Sequence, residues 1–304
     1  MKSASLSSVA PRPSRLVHFT PLRYPGGKAK LATYVKTIIE SNDLIDGEYV
    51  EPYAGGAGIA LELLFHEYVS KIYINDISRP IYSFWKSVLD HTDELVRLVR
   101  TVKLSVHAWD RQKRILSHPK DHDDVQLGFA TFFLNRTNRS GILNGGIIGG
   151  RDQSGPWKID ARYNAEELAY RIVEIAKLRD RIEVTRRDAL VFLKSGINIW
   201  PKNTLIYLDP PYYLKGRDLY LDSYTHDDHE AVATFVRTSI AKQKWLVSYD
   251  NAREVRKLYS GCKNVIYSLQ YSARDAHKGS EVMFFGNELN TPEGVRPVLA
   301  SRGR

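Results

Sequence analysis

The sequence predicts an α/β protein: a mostly parallel sheet covered by helices on both faces, an antiparallel hairpin at one edge, and an inserted, mainly helical segment. Three observations predict it. Short apolar runs of strand length alternate with stretches whose apolar residues recur at helical spacing. Strands separated by helices pair in parallel through crossovers. The last two strand-like runs flank a polar loop with no helix between them, as an edge hairpin does. The stretch from about residue 86 to 180 has helical and loop character but no parallel-strand signal.

The elements follow in order. Residues 1–19 are rich in Ser, Pro and basic residues and read as a flexible arm; residues 290–304 look similar and read as a flexible tail. Tyr49-Val50-Glu51 is a short strand ending at a glycine turn, and a helix follows over Ile59–Tyr68. Lys71–Asp76 is the second strand. Residues 80–100 are helical, with Ile81, Phe84, Trp85, Val88, Leu89 and Leu95 apolar at 3–4 spacing. Strand signals resume at Ile182–Thr185, Leu205–Leu208 and Trp245–Tyr249, and Val265–Tyr271 with Glu281–Phe285 form the hairpin. The chain thus divides into a sheet domain of residues 20–85 and 181–289 and an insert of residues 86–180.

Composition narrows the function. With 43% hydrophobic residues the 304-residue chain can bury a core. No apolar run approaches the roughly 20 residues of a membrane-spanning helix, and the N-terminus lacks an apolar signal stretch, so a cytoplasmic protein without membrane association is expected. A single cysteine, Cys262, excludes an internal disulfide framework and any multi-cysteine zinc site. Forty-four basic residues against 35 acidic ones leave a net charge of +9, which favours polyanionic partners, nucleic acid above all. Part of that charge (Arg136, Arg139, Arg179, Arg181, Arg186, Arg187) lies within the body of the chain.

Two motifs carry chemistry. Glu51-Pro52-Tyr53-Ala54-Gly55-Gly56-Ala57-Gly58 joins a strand to a helix. Its glycines allow a sharp turn and close approach of a ligand, and the helix N-terminus favours an anionic group. Asp76 ends the next strand, 18 residues beyond Gly58, where a carboxylate accepts hydrogen bonds from ribose hydroxyls or else caps the helix starting near Pro80. The G-x-G-x-x-G of dinucleotide sites is absent, so a cofactor with one nucleoside and no phosphates fits at least as well.

The second motif, Asp209-Pro210-Pro211-Tyr212, follows the strand Leu205–Leu208. Two prolines fix the backbone and withhold two amide donors. The turn therefore offers a carboxylate, free carbonyls and a flat aromatic face. An adenine amino group has two N–H donors beside an aromatic ring. Asp209 and the Pro210 carbonyl can accept both hydrogens while Tyr212 stacks on the ring. Those acceptors concentrate the nitrogen lone pair and stabilise the positive charge that develops as a methyl group arrives. No metal is needed.

These motifs, with Arg23-Tyr24-Pro25-Gly26-Gly27-Lys28 ahead of them, resemble the Dam-type DNA adenine N6-methyltransferases of the alpha group over roughly residues 20–290. The resemblance implies a Rossmann-like methyltransferase fold, S-adenosylmethionine as cofactor, and a target adenine flipped from double-stranded DNA. It implies that Tyr24 and Lys28 touch the donor, alongside Pro52, Tyr53, Gly55 and Gly58. Asp76 would hold the ribose, and Asp188 would lie near the donor adenine, unless it caps the helix at Ala189. Asp209 would serve both cofactor and target, and Tyr212 would stack on the base. Asn135–Asn144 falls where the family contacts DNA: Arg136 and Arg139 would bind phosphate or guanine, and Asn138 and Asn144 would read adenine. Asn135 falls in the same segment, and Lys278 would approach DNA from the terminal hairpin. Leu134-Asn135-Arg136 matches the family pattern, but Ile142–Gly146 diverges, so no target sequence carries over.

Alternatives stay open. Cytosine N4 methylation needs the same acceptors, though its enzymes more often carry Ser in place of Asp209. A DNA-binding protein without catalysis and an RNA substrate are further readings. A restriction endonuclease or defence system is a possible partner. His226, Asp227, Asp228 and His229 read as a solvated helix start rather than a metal site.

Overall fold

A computed structural model describes residues 19–23, 31–214, 224–270, 278–292 and 297. Tyr24 and Lys28 lie outside the described residues. Seven strands form one sheet: β1 (Gly47–Glu51), β2 (Val69–Asn75), β3 (Ile182–Thr185), β4 (Thr204–Leu208), β5 (Lys244–Asp250), β6 (Lys263–Gln270) and β7 (Lys278–Phe285). Their order is β3-β2-β1-β4-β5-β7-β6. The first five are parallel; β7 pairs antiparallel with both β5 and β6.

Both sheet faces are covered. Tyr49, Ile72, Leu205, Tyr207 and Leu246 pack into one apolar cluster, and Val50, Tyr73, Ile206, Leu208 and Val247 into the other. Alternate residues of each strand thus serve opposite cores, which explains the continuous apolar runs seen in the sequence. The first cluster is covered by α1 (Ala32–Glu40), α2 (Gly58–Phe65) and α3 (Arg79–Asp90), among others. The second is covered by α8 (Ala189–Gly196), α9 (His226–Thr238) and α10 (Arg253–Leu258).

The stretch expected as an insert, residues 86–180, holds α4 (Thr92–Thr101), α5 (Val106–Ser117), α6 (Asp124–Thr137) and α7 (Ala165–Ala176). Residues 80–100, expected as one helical stretch, form two helices that break at His91 (φ −130°, ψ 39°). α3 lies along α6, so close that a Cβ on Gly128 would stand 2.6 Å from the Ser83 carbonyl oxygen. Ser83 Oγ and Ser87 Oγ donate to Asp124 at 2.6 and 2.8 Å across the same seam. The insert therefore shares a continuous core with the first sheet face. No helix among the described residues is long and apolar enough to cross a membrane.

Chain order makes a crevice. From β1 the chain moves outward through β2 and β3, then returns to place β4 on the other side of β1. Such a reversal opens a cleft at the carboxyl ends of the two strands, where ligands of open parallel sheets bind. The glycine turn leaves β1 there, and the Asp209 turn leaves β4 beside it.

Candidate active site

The Asp209–Tyr212 turn is held from beneath by hydrogen bonds. Tyr207 and Ser248, both fully buried, have hydroxyl oxygens 2.7 Å apart, and Ser248 Oγ donates to Asp209 Oδ1 at 2.7 Å. This orients the Asp209 carboxylate. Downstream, Asp250 at the end of β5 accepts from the backbone N–H of Tyr213 (2.8 Å) and Leu214 (2.9 Å). Pro210 and Pro211 need no acceptor, so the turn is closed by bonds on either side of them.

Tyr212 is anchored by its hydroxyl. It donates to Glu281 Oε1 at 2.7 Å, and Tyr267 donates to Glu281 Oε2 at 2.7 Å. Glu281 is 1% exposed and sits on β7. Burial, with Glu281 nearby, pushes the Tyr267 hydroxyl well above the ordinary tyrosine range. It therefore remains a donor. The edge hairpin thus has a purpose that the sequence did not show: it presents the carboxylate that fixes Tyr212.

The glycine turn is built from left-handed backbone at Gly55 and Ala57, both at φ 46°. Asp76 spans two turns: Oδ2 accepts from Gly55 N and Oδ1 from Ser78 N, each at 2.9 Å. Trp85 Nε1 donates to Gly55 O at 2.9 Å and Thr20 Oγ1 to Gly56 O at 2.6 Å. Asp76 therefore ties the turn after β1 to the entry of α3, the expected start of that helix. Asp188 caps α8, accepting from Leu190 N at 2.9 Å and Val191 N at 3.1 Å. Asn75, passed over in the sequence, is 1% exposed and stitches three strand ends. It donates to Pro52 O and Arg187 O and accepts from Thr185 Oγ1 and Arg187 N. Tyr53 meets Tyr224, their hydroxyl oxygens 3.1 Å apart.

Glu51 was also missed as a site residue. It ends β1 at 4% exposure, and its Oε2 is buried without a hydrogen-bond partner. Burial first, then the Asp209 and Asp76 charges, push its carboxyl well above the ordinary value, against a backbone N–H from Ala60. The available signal was an acid ending an otherwise buried strand.

The segment of residues 135–144 divides. Asn135 and Asn138 are 1% and 0% exposed, which removes them from the residues expected to meet DNA. Asn135 accepts from Arg23 N (2.6 Å) and donates to Arg23 O (2.7 Å) and Gly141 O (2.9 Å). Asn138 accepts from Trp109 Nε1 (2.7 Å) and donates to Ile142 O and Leu143 O (2.8 and 2.9 Å). Both asparagines brace a loop that turns through Ser140 (φ 56°) and Gly141 (φ 76°), where a Cβ on Gly141 would stand 2.3 Å from Arg23 O. Arg139 and Asn144 on that loop are exposed, whereas Arg136 is half-buried. The backbone of Lys278 opens β7.

The His226–His229 segment begins α9 through a capping box between Thr225 and Asp228. His229 Nδ1 lies 3.0 Å from Tyr249 OH inside the core.

With this geometry in place, the comparisons are informative. Residues 24–272 match the model of the D12 class N6 adenine-specific DNA methyltransferases. The chain belongs to that family. It is 22% identical over 264 residues to the Type II methyltransferase M.MjaIII of Methanocaldococcus jannaschii, covering 79% of this chain and 87% of that protein. It is 23% identical over 287 residues to the Type II methyltransferase M.CviBI of Paramecium bursaria Chlorella virus NC1A, covering 89% of this chain and 95% of that protein. The enzyme is an adenine-specific DNA methyltransferase, and its activity requires a methyl donor.

Proposed function

We propose that the enzyme transfers the methyl group of S-adenosylmethionine to N6 of an adenine turned out of duplex DNA, at a specific site, with Asp209–Tyr212 as the catalytic turn. The observation that carries this reading is the convergence of the Gly55–Gly58 turn and the Asp209 turn at the β1/β4 crevice. Residues present suit the donor. Glu51 Oε2 is a buried, unpaired acceptor near two further carboxylates, a setting that favours a cationic ligand. Pro52, Tyr53, Gly55, Gly58, Asp76, Asp188 and Asp209 are proposed to line its pocket, with Tyr24 and Lys28. When bound, the donor supplies an electrophilic methyl group on sulfur.

The protein does the rest. Asp209, oriented by Ser248, accepts one N–H of the target amine, and the Pro210 carbonyl accepts the other. The amine lone pair is then aimed at the methyl group, and the carboxylate stabilises charge developing on nitrogen. Tyr212 holds the base plane by stacking. Holding both reactants in one crevice supplies much of the remaining rate. Arg139 and Asn144 are proposed to contact the DNA around the target, and Lys278 to approach it from β7.

Labelled methyl from S-adenosylmethionine should enter DNA and be recovered as N6-methyladenine after nucleoside analysis. Asp209→Ala should abolish transfer. Recovery of N4-methylcytosine, or full activity in the variant, would overturn the reading.

A further inference from the structure

Residues 19–23 form a strap between two turns, held at both ends by side chains. At one end Phe19 stacks on Phe65 of α2, ring centroids 4.3 Å apart, and Thr20 Oγ1 donates to Gly56 O at 2.6 Å. At the other end Asn135 accepts from Arg23 N at 2.6 Å and donates to Arg23 O at 2.7 Å. Arg23 Nη1 also donates to Asn138 O at 3.3 Å. Pro21 and Leu22 between the two ends are buried, and Arg171 Nη1 of α7 donates to Thr20 O at 3.0 Å. Thr20 and Arg23 are three residues apart, about 10 Å of extended chain.

The two ends meet two strained turns. Gly56 lies between Gly55 and Ala57, both left-handed at φ 46°. Asn135 also donates to Gly141 O at 2.9 Å, beside Ser140, left-handed at φ 56°. A left-handed alanine or serine persists only where its surroundings over-determine it. The strap supplies bonds to both turns, and a Cβ on Gly141 would stand 2.3 Å from Arg23 O. The loop through Ser140 exposes Arg139 and Asn144, and Arg23 is followed directly by Tyr24–Lys28, proposed above to touch the donor. A ligand that orders one turn therefore orders the strap. A second ligand then meets the other turn with less freedom left to lose.

We propose that Thr20 and Asn135 are positioning residues that couple the two turns, so that donor and duplex each tighten the binding of the other. This rests on the donor and DNA readings above. Asn135 is 1% exposed, so it acts through Arg23 and Gly141 and not by touching either ligand.

The test uses the full chain, S-adenosylhomocysteine as the donor without its methyl group, and a duplex that the parent enzyme methylates. Duplex affinity with S-adenosylhomocysteine should exceed that without it by about fivefold or more, and the duplex should tighten S-adenosylhomocysteine by the same factor. Thr20→Val keeps the shape and deletes the bond to Gly56 O. Asn135→Asp keeps the acceptor for Arg23 N and deletes the donors to Arg23 O and Gly141 O. Each should bring the factor below about twofold, whereas Thr20→Ser, which retains the hydroxyl, should keep the parent value. A merely structural role would lower the thermal midpoint and leave the factor alone. In the parent, S-adenosylhomocysteine by itself should slow amide exchange at Arg139 and Gly141, whose N–H groups donate to Gly146 O and Asn138 O.

A folded Thr20→Val with the parent factor overturns the proposal, as does a parent factor near unity. Unchanged exchange at Arg139 and Gly141 overturns it without any variant. Failure of the parent to bind S-adenosylhomocysteine would instead sink the donor reading, and failure to bind any duplex the DNA reading.

Discussion

Removing one oxygen from Tyr212 tests how the edge hairpin serves catalysis. Tyr212→Phe keeps the ring and deletes the hydroxyl that donates to Glu281 Oε1 at 2.7 Å. Leaving a buried acceptor unsatisfied costs about 1–3 kcal/mol, and Glu281, 1% exposed, has no bulk water to replace the lost donor. A loss of about 2 kcal/mol corresponds to roughly 3 °C in thermal midpoint for a chain of this size, from an unfolding entropy of about 2.1 cal/mol/K per residue. Tyr267→Phe removes the companion bond at the same length, so its stability loss should be similar. The two should part in activity. The Tyr212 ring belongs to the turn proposed as catalytic, and loss of its tether lets it tilt; kcat/KM should fall about tenfold, equivalent to 1.4 kcal/mol. Tyr212→Ala should fall further, by about the 1–3 kcal/mol of a base stack. Tyr267→Phe should retain most of its activity. Scanning calorimetry and single-turnover methylation of one duplex measure both quantities. Equal losses of activity in Tyr212→Phe and Tyr267→Phe, or an unchanged midpoint in Tyr212→Phe, would refute the tether.

Three other outcomes are expected. Ser248→Ala deletes the donor to Asp209 Oδ1; single-turnover rate should fall about tenfold, the equivalent of one hydrogen bond, with the fold intact by circular dichroism. Glu51 holds its proton above the ordinary value of 4.5, so the stability it contributes is full below that pH and is lost as pH rises through its folded pKa. Glu51→Gln should therefore raise the thermal midpoint at pH 8 more than at pH 4.5, with weaker donor binding by calorimetry. Burial lowers the His229 pKa from 6.5 to about 4, so the neutral ring is favoured and stability falls as pH drops from 6.5 to 4. His229→Gln should flatten the midpoint against pH across that window, and an unchanged slope would exclude the histidine as its source.

The sheet was legible because a doubly covered strand must be apolar on both faces, so Leu205–Leu208 stands out against the helical periods around it, whereas the edge strand Ile182–Thr185 was read from its β-branched residues with Glu183 exposed. The two turns were legible because glycine and proline restrict backbone in ways that few other residues do. What escaped depends on distant partners. Glu281 and Asp209 are 72 positions apart, and the pairing of β5 with β7 brings the hairpin to the Asp209–Tyr212 turn. Asn75 and Glu51 read as strand residues because their partners, Arg187 and the Asp209 charge, arrive from other strands. The break at His91 was invisible to spacing, since apolar residues continue on both sides of it.

Asn135 and Asn138 show why a DNA-reading segment misleads in sequence. A helix end leaves carbonyls without intrahelical partners, and a loop that doubles back beside it adds more. Short amides satisfy such groups in place, and Asn135 and Asn138 bond five backbone groups between them in addition to the Trp109 indole. An asparagine used this way has both amide N–H donors committed to backbone and none left for a base edge. The chemistry that suits it to adenine is the chemistry that suits it to backbone, and burial decides between them. Rigidity of the loop and recognition by the loop then fall to different residues. Asn135 and Asn138 fix the backbone, and Arg139 and Asn144 project from it. If Arg139 and Asn144 meet DNA as proposed, changes at this projecting pair should alter which sequence is read and leave the loop that carries them undisturbed.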